Sequence, residues 1–344
     1  MDRALPADDL RAAVDLVESG WDSLRGARVL VTGGTGFVGR WLVESLGLAR
    51  QVHGLECSAI ILTRNARRTV DRWPWIESQA WLHLVESDVR SMPDPPGPIQ
   101  LILHGAVDTS PAADANTVRD VCERGVLRMI ACARACGAER FHLVSSGAVY
   151  GARAPGQADP REDEPIDEAV AGPYGAYSDG KRRAEQIARR SIGGGCALTM
   201  SRVFGLAGPG LPLDGRFAMG NFIRDAVSGV PIHVRGDGRA MRSYLHGSDL
   251  AAWIWLIILQ APPFSVFNVG SPEAIGMADL ARRVRDLLAP SATIAVDAGE
   301  SIPATRYVPD VSSISKVLGL RATRSLDACI LGTAGHYHSL ANRP

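Results

Sequence analysis

Short apolar runs punctuate this chain at nearly regular intervals, at residues 28–32, 59–63, 81–85, 99–104, 141–145 and 198–204. Each has the length of a buried strand and is too short for a core helix. Between them the pattern changes to the three-and-four spacing of amphipathic helices, near 37–48, 115–136 and 178–190. Near-continuous apolar strands alternating with helices predict an α/β fold, a doubly wound parallel (Rossmann) sheet covered on both faces. Residues 7–24 predict an amphipathic helix ahead of the first strand. The Pro- and Gly-rich stretches 91–98 and 151–174 predict loops. Beyond residue 205 the regularity breaks, and glycines and prolines are frequent up to 240. The expected organisation is a helical extension over 1–26, a dinucleotide-binding domain over 27–204, and a smaller lobe over 205–344. That lobe shapes a substrate site and returns some segments to the main sheet.

The run from Leu250 to Leu259 is the longest apolar stretch, about half of what crosses a bilayer. Its Trp253 and Trp255 predict a buried helix, so no membrane partner is expected. Lys plus Arg and Asp plus Glu both number 37, giving a formal charge of zero. A nucleic-acid binder would carry a basic surplus, and none is expected to bind here. The six cysteines (57, 122, 132, 136, 196 and 329) are scattered without metal-ligand spacing. They read as free thiols, which suits a reducing cytoplasm. The first residues are acidic and amphipathic rather than a signal peptide.

The first apolar run leads directly into Val-Thr-Gly-Gly-Thr-Gly-Phe-Val-Gly at 31–39. Gly34, Gly36 and Gly39 fit G-x-G-x-x-G, and Gly33, Gly36 and Gly39 fit G-x-x-G-x-x-G. Glycine permits the tight turn and lets backbone approach a pyrophosphate, which then meets the free N–H groups of the following helix. Candidate cofactor contacts here are Gly33, Thr35, Gly36, Phe37, Val38 and Gly39. The second run ends at Thr63-Arg64-Asn65, with Arg67 and Arg68 after it. An acidic residue at that strand end would bind a ribose hydroxyl, whereas arginine accommodates a 2′-phosphate. Thr63 and Arg64 therefore favour NADP over NAD.

Tyr177 and Lys181 form Tyr-x-x-x-Lys at the start of a predicted helix, on one helical face. A tyrosine hydroxyl ordinarily titrates near ~10, and a neighbouring ammonium favours its ionised, basic form. The pair follows the fifth strand, which ends in Val144-Ser145-Ser146-Gly147-Ala148-Val149-Tyr150-Gly151. Strand C-terminal ends are where doubly wound sheets bind ligands. Ser146 is placed to donate to the same substrate oxygen that Tyr177 protonates.

With these residues in view, the chain resembles an extended short-chain dehydrogenase/reductase of the nucleotide-sugar epimerase/dehydratase family. The resemblance rests on residues 32–39, Ser87-Asp88-Val89, His104-Gly105-Ala106, Ser146 through Gly151, and Tyr177 with Lys181. It continues in Gly236-Asp237-Gly238, Arg242 through His246, Asp249, and Phe267-Asn268-Val269-Gly270. It implies a Ser146-Tyr177-Lys181 hydride-transfer site, a nucleoside-diphosphate sugar substrate and a homodimer. It places Asp88, Val89, His104, Gly105 and Ala106 at the cofactor, with Tyr177 and Lys181. It places Arg242 at the substrate pyrophosphate, where a planar guanidinium suits phosphate.

Several positions depart from the pattern. The family's 4,6-dehydratases carry an acidic pair just after the residue matching Ser146, and here Gly147 and Ala148 cannot transfer a proton. Ketone reduction, alcohol oxidation and epimerisation remain. The family tends to place one asparagine where Cys122 stands and another after the sixth strand, where this chain has Arg202-Val203. Asn221 is the candidate replacement for the latter, with a helix N-cap as the competing account. The favoured expectation is an NADP-dependent 4-keto-sugar reductase; the alternative is a 4-epimerase holding NAD.

Overall fold

The computed structural model describes residues 4–107, 114–166, 175–215, 217–297 and 304–341. The predicted loop at 151–174 lies partly outside them. A seven-stranded, all-parallel sheet runs through the centre. Its strands are β1 (Arg28–Thr32), β2 (Ser58–Thr63), β3 (Leu82–Glu86), β4 (Leu101–His104), β5 (Arg140–Ser146), β6 (Ala197–Val203) and β7 (Ser265–Val269). The spatial order is β7-β6-β5-β4-β1-β2-β3. The strand order reverses between β1 and β4, and a crevice opens there at the carboxyl ends.

β1 and β4 are apolar because both faces are covered: Val29, Leu30 and Val31 are all buried. The helices α1 (Ala7–Val17) and α2 (Phe37–His53) lie with α7 (Gly247–Gln260) on one face. The helices α4 (Ala115–Cys136) and α5 (Ala176–Ser191) lie on the other, around Val126, Met129 and Ala184. The expected helix at 7–24 is α1 followed by a tighter turn of helix over Glu18–Leu24. Trp21 in that turn packs 5.1 Å from Trp255 of α7, so the extension covers a face that would otherwise expose tryptophan. α7 is buried almost throughout.

A second cluster joins α6 (Ala218–Val227), α8 (Met277–Leu288) and the final helix Leu326–Ala341, through Met219, Ile223, Leu280 and Ile330. The short strand Met241–Arg242 pairs with Ile275–Gly276 on one side and Arg306–Tyr307 on the other. That ribbon brings late residues back over the end of β5.

Candidate active site

β1 ends at Thr32 and α2 begins at Phe37, so four residues make the turn between them. Gly33 has φ +73°, and a Cβ there would lie 2.7 Å from the Gly105 carbonyl carbon. A Cβ on Gly39 would lie 2.3 Å from the Gly33 carbonyl oxygen. These two glycines are fixed by backbone contact, whatever the chain binds. Gly36 caps α2, and Thr35, Gly36, Phe37 and Val38 remain accessible. The first-turn N–H groups of a helix have no intrahelical acceptor, so this end is a cradle for an anion.

β4 forms the other wall. Thr32 Oγ1 accepts from the backbone N–H of Gly105 and of Ala106, each at 3.2 Å, and lies 2.7 Å from His104 Nδ1. The two amides fill the acceptor positions of the hydroxyl, so its proton goes to Nδ1 and the imidazole proton sits on Nε2. Burial holds His104 down to about 3, so the ring is neutral. The side chain of His104 is thus committed to Thr32; the backbone of 104–106 lines the cradle.

The expected adenosine end is more heavily occupied than the sequence suggests. Thr63 Oγ1 lies 2.9 Å from Thr69 Oγ1, turned into α3 (Ala66–Arg72). Asn65 caps that helix by accepting from Arg68 N at 2.7 Å. Asp88 accepts from the N, Nε and Nη2 of Arg90 at 2.7–2.9 Å. Those bonds to Arg90 hold its carboxyl down to about 2, with Arg64 adding a smaller push in the same direction. Arg64 is exposed, and its charge faces this carboxylate. Val89 is buried beside Gly125, where a Cβ would come within 3.1 Å of it.

The reaction centre stands at the end of β5. Lys181 is fully buried on α5 and donates from Nζ to the Val144 carbonyl at 2.7 Å. The same Nζ sits 5.8 Å from the centre of the Tyr177 ring. Burial pulls the ammonium below the ordinary lysine range, opposed by Cys122 and Glu185. Cys122 occupies the α4 position facing Gly180, where a Cβ would meet its Sγ at 2.9 Å. Ser146 Oγ accepts from Ala148 N at 3.2 Å and lies 3.2 Å from the Tyr307 hydroxyl. Gly147 has no room for a side chain, since a Cβ would fall 2.5 Å from the Phe204 ring. Ala148 is wholly buried. The two positions expected to lack an acid therefore also lack space for one.

Around this centre lies a buried polar network. Ser145 donates to Glu185 Oε1 at 2.5 Å, and Arg202 meets Glu185 through Nη2 at 2.8 Å and Nε at 3.1 Å. Arg202 Nη1 donates to the Tyr150 hydroxyl at 2.7 Å, which donates to Asn268 Oδ1 at 2.9 Å. Burial pushes the Tyr150 hydroxyl up to about 12, so it keeps the proton it donates. Arg202 lies inside β6; Phe204 and Gly205 follow the strand.

Two expected substrate residues have other partners. Asn221 is inside α6, whose N-cap is Phe217, so the capping account fails. Its Nδ2 donates to the Gly215 carbonyl at 3.0 Å, and its Oδ1 accepts from Arg224 at 3.2 Å. Arg242 donates to the Thr305 carbonyl at 2.9 Å and to Thr305 Oγ1 at 3.0 Å. Sequence reasoning passed over Tyr307 and Glu185. Glu185 had a signal, since it follows Lys181 by four on one helical face; Tyr307 had none.

The chain is similar to known proteins. A family model described as the NAD dependent epimerase/dehydratase family matches residues 29–270. UDP-glucuronic acid decarboxylase 1 of Arabidopsis thaliana is 30% identical over 313 residues, 87% of this chain and 67% of that protein. The chain thus spans about two thirds of the plant protein. Among solved structures, UDP-glucose 4-epimerase of Thermotoga maritima with UDP-glucose superposes with TM-score 0.75 at 18% identity, covering 92% of this chain and 100% of that one. MoeE5 in complex with UDP-glucuronic acid and NAD gives TM-score 0.75 at 22% identity, covering 91% and 100%. At such identities the solved structures speak to the fold.

Proposed function

The chain belongs to the NAD dependent epimerase/dehydratase family, and from that premise we propose that it is a nucleotide-sugar 4-epimerase. It oxidises a ring carbinol of a nucleoside-diphosphate sugar to a transient ketone and returns the hydride to the same substrate. One observation carries this reading. Ser146 ends β5, and Lys181 holds the carbonyl of Val144 on that strand with Tyr177 beside it, yet Gly147 is closed off by Phe204 and Ala148 is wholly buried. Among the described residues, Ser146, Tyr177 and Lys181 can move a proton on one substrate oxygen, and positions 147 and 148 add no acid to them.

The cradle fits a dinucleotide: Gly33 and Gly39 admit no Cβ, and the first turn of α2 is open beside them. Bound nicotinamide dinucleotide supplies the hydride acceptor. Tyr177 takes the proton of the substrate hydroxyl, and Ser146 donates to the same oxygen. The buried charge of Lys181 favours the phenolate. Arg242 reaches a diphosphate by exchanging its bonds to Thr305. NAD is the cofactor proposed. The matching family is described as NAD dependent, and Arg64, which argued for a 2′-phosphate, lies near enough to Asp88 for its charge to act on that carboxylate. The case for a net NADP-dependent reductase weakens with it.

A second reading has its own support in the Arabidopsis thaliana decarboxylase. Oxidation at C4 of a uronic acid makes a β-keto acid. Its C5–C6 bond then breaks, carbon dioxide leaves, and the electron pair flows to the C4 oxygen held by Tyr177 and Ser146. C5 takes a proton from water, the hydride returns to C4, and Tyr177 returns its proton to the C4 oxygen. No acid at 147 or 148 is needed.

The test is to incubate the purified protein and NAD with UDP-glucose or UDP-glucuronic acid and follow products by chromatography and mass spectrometry. An epimer of unchanged mass without net cofactor consumption supports the first reading, and loss of carbon dioxide the second. Tyr177→Phe should lower either rate ~10²–10⁴-fold, the usual range for lost acid–base catalysis. Stoichiometric cofactor consumption, or a product lacking water, overturns the proposal.

A further inference from the structure

Tyr307 belongs to no part of the reading above except by position. It lies on the short strand Arg306–Tyr307, beyond the residues that match the family model. Its ring stacks 4.8 Å from Phe204, the residue that seals Gly147. Its hydroxyl has one proton, and both Ser146 Oγ at 3.2 Å and the Val203 carbonyl at 3.4 Å are within reach as acceptors.

That choice decides what Ser146 can do. A serine hydroxyl has one donor and two acceptor positions. The Ala148 N–H fills one acceptor position of Ser146. When Tyr307 donates to Ser146, it fills the other, and the serine proton is directed to a third partner. When Tyr307 donates to Val203 instead, the serine proton points at the tyrosine and is withheld. A substrate oxygen arriving as an acceptor at Ser146 selects the first arrangement.

We infer that Tyr307 is a positioning residue for the hydride-transfer reaction, aiming the Ser146 proton at the substrate oxygen. The inference rests on the functional reading of Ser146. The strand that carries Tyr307 also reaches the other end of the proposed substrate. Thr305 holds Arg242, and Arg306 is anchored to Asp159 through two bonds of 2.6 and 2.8 Å. Residues 305–307 thus touch both Arg242, which must leave Thr305 to reach a diphosphate, and Ser146 at the sugar oxygen.

The experiment is a double-mutant cycle with Ser146→Ala, Tyr307→Phe and the pair, measured by turnover of UDP-glucose and of UDP-glucuronic acid with NAD, and by urea unfolding. Tyr307→Phe keeps the ring against Phe204. It should lower kcat about tenfold, the worth of one well-made hydrogen bond, and leave KM within about twofold. In the Ser146→Ala background the same change should have no further effect on kcat, because the tyrosine acts through the serine. Equal, independent losses in both backgrounds overturn the proposal, as does a loss confined to KM or to unfolding. If Ser146→Ala turns over normally, or wild type turns over neither sugar, the functional reading itself has failed and takes this inference with it. A wild-type Ser146 dependence without coupling to Tyr307 refutes the inference alone.

Discussion

Glu185→Gln changes one oxygen to a nitrogen and should be among the most damaging substitutions in the protein. Glu185 and Arg202 are 3% and 4% exposed, so neither charge has water to fall back on. Arg202 makes three contacts to the carboxylate from two nitrogens, Nε and Nη2, and a fourth from Nη1 to Tyr150, and its guanidinium lies 4.7 Å over the Tyr150 ring. The carboxamide preserves shape but leaves the arginine charge buried without a counter-charge. It also turns a donor toward Arg202 or toward Ser145, which already donates to the same group. Removing one partner of a buried pair costs about 3–5 kcal/mol. Against a typical total of ~5–15 kcal/mol, that is a large fraction of stability. Urea unfolding followed by fluorescence of the seven tryptophans measures it. The double change Glu185→Leu with Arg202→Met removes both charges together. It should recover most of the loss, because apolar replacements of a buried pair are often neutral. A Glu185→Gln loss below about 1 kcal/mol would refute the claim that this pair is dry and mutually dependent.

Two other outcomes follow from the same interior. His104 and His142 are held down to about 3 and His246 to about 4, in each case chiefly by burial. The folded chain keeps these rings neutral while the unfolded chain protonates them below about 6.5. Stability should therefore fall as pH drops below that value, by about 1.4 kcal/mol per pH unit for each proton taken up on unfolding. Melting profiles between pH 7 and 4 that stay level would contradict the burial of these rings. Gly147→Ala should destabilise by ~1–3 kcal/mol through overpacking against Phe204, with partial relief in the Phe204→Leu background. Equal losses in both backgrounds would show that Phe204 is not the obstacle.

Most of the sheet was readable in the chain because parallel strands buried on both faces carry mostly apolar residues, even where β6 includes Thr199, Ser201 and Arg202. The prediction at 59–63 meets β2 at Ser58–Thr63, and that at 198–204 meets β6 at Ala197–Val203. The strand that escaped notice is β7, where Ser265 and Asn268 interrupt the apolar run. Asn268 is tolerated there because Tyr150, Pro160 and Asp310 satisfy its amide, and those partners are far away in sequence. The glycine turn was legible because its constraint is local: a strand, a tight turn and a helix contain the reason for each glycine. The adenosine end was less so. Arg64 at a strand end reads as a phosphate partner, and no local pattern signals that Arg90 holds the Asp88 carboxylate on which the charge of Arg64 also acts.

The same distinction explains why the reaction centre was found and its supports were not. Ser146, Tyr177 and Lys181 announce themselves by spacing on one strand end and one helical turn. Their environment comes from elsewhere: Tyr307 reaches Ser146 across 161 residues, and Asn268 reaches Tyr150 across 118. No local pattern encodes such contacts, because each partner obeys only the periodicity of its own element. The consequence is physical as well as inferential. The serine hydroxyl and Arg242 acquire their resting partners, Tyr307 and Thr305, only when the ribbon that carries Met241–Arg242 and Arg306–Tyr307 has docked on the end of β5. Substitutions at the docking residues Thr305 and Arg306 should accordingly be felt at both Ser146 and Arg242, whereas a side chain at Gly33 or Gly39 should strain the turn itself as well as the cofactor cradle, since each Cβ would strike backbone.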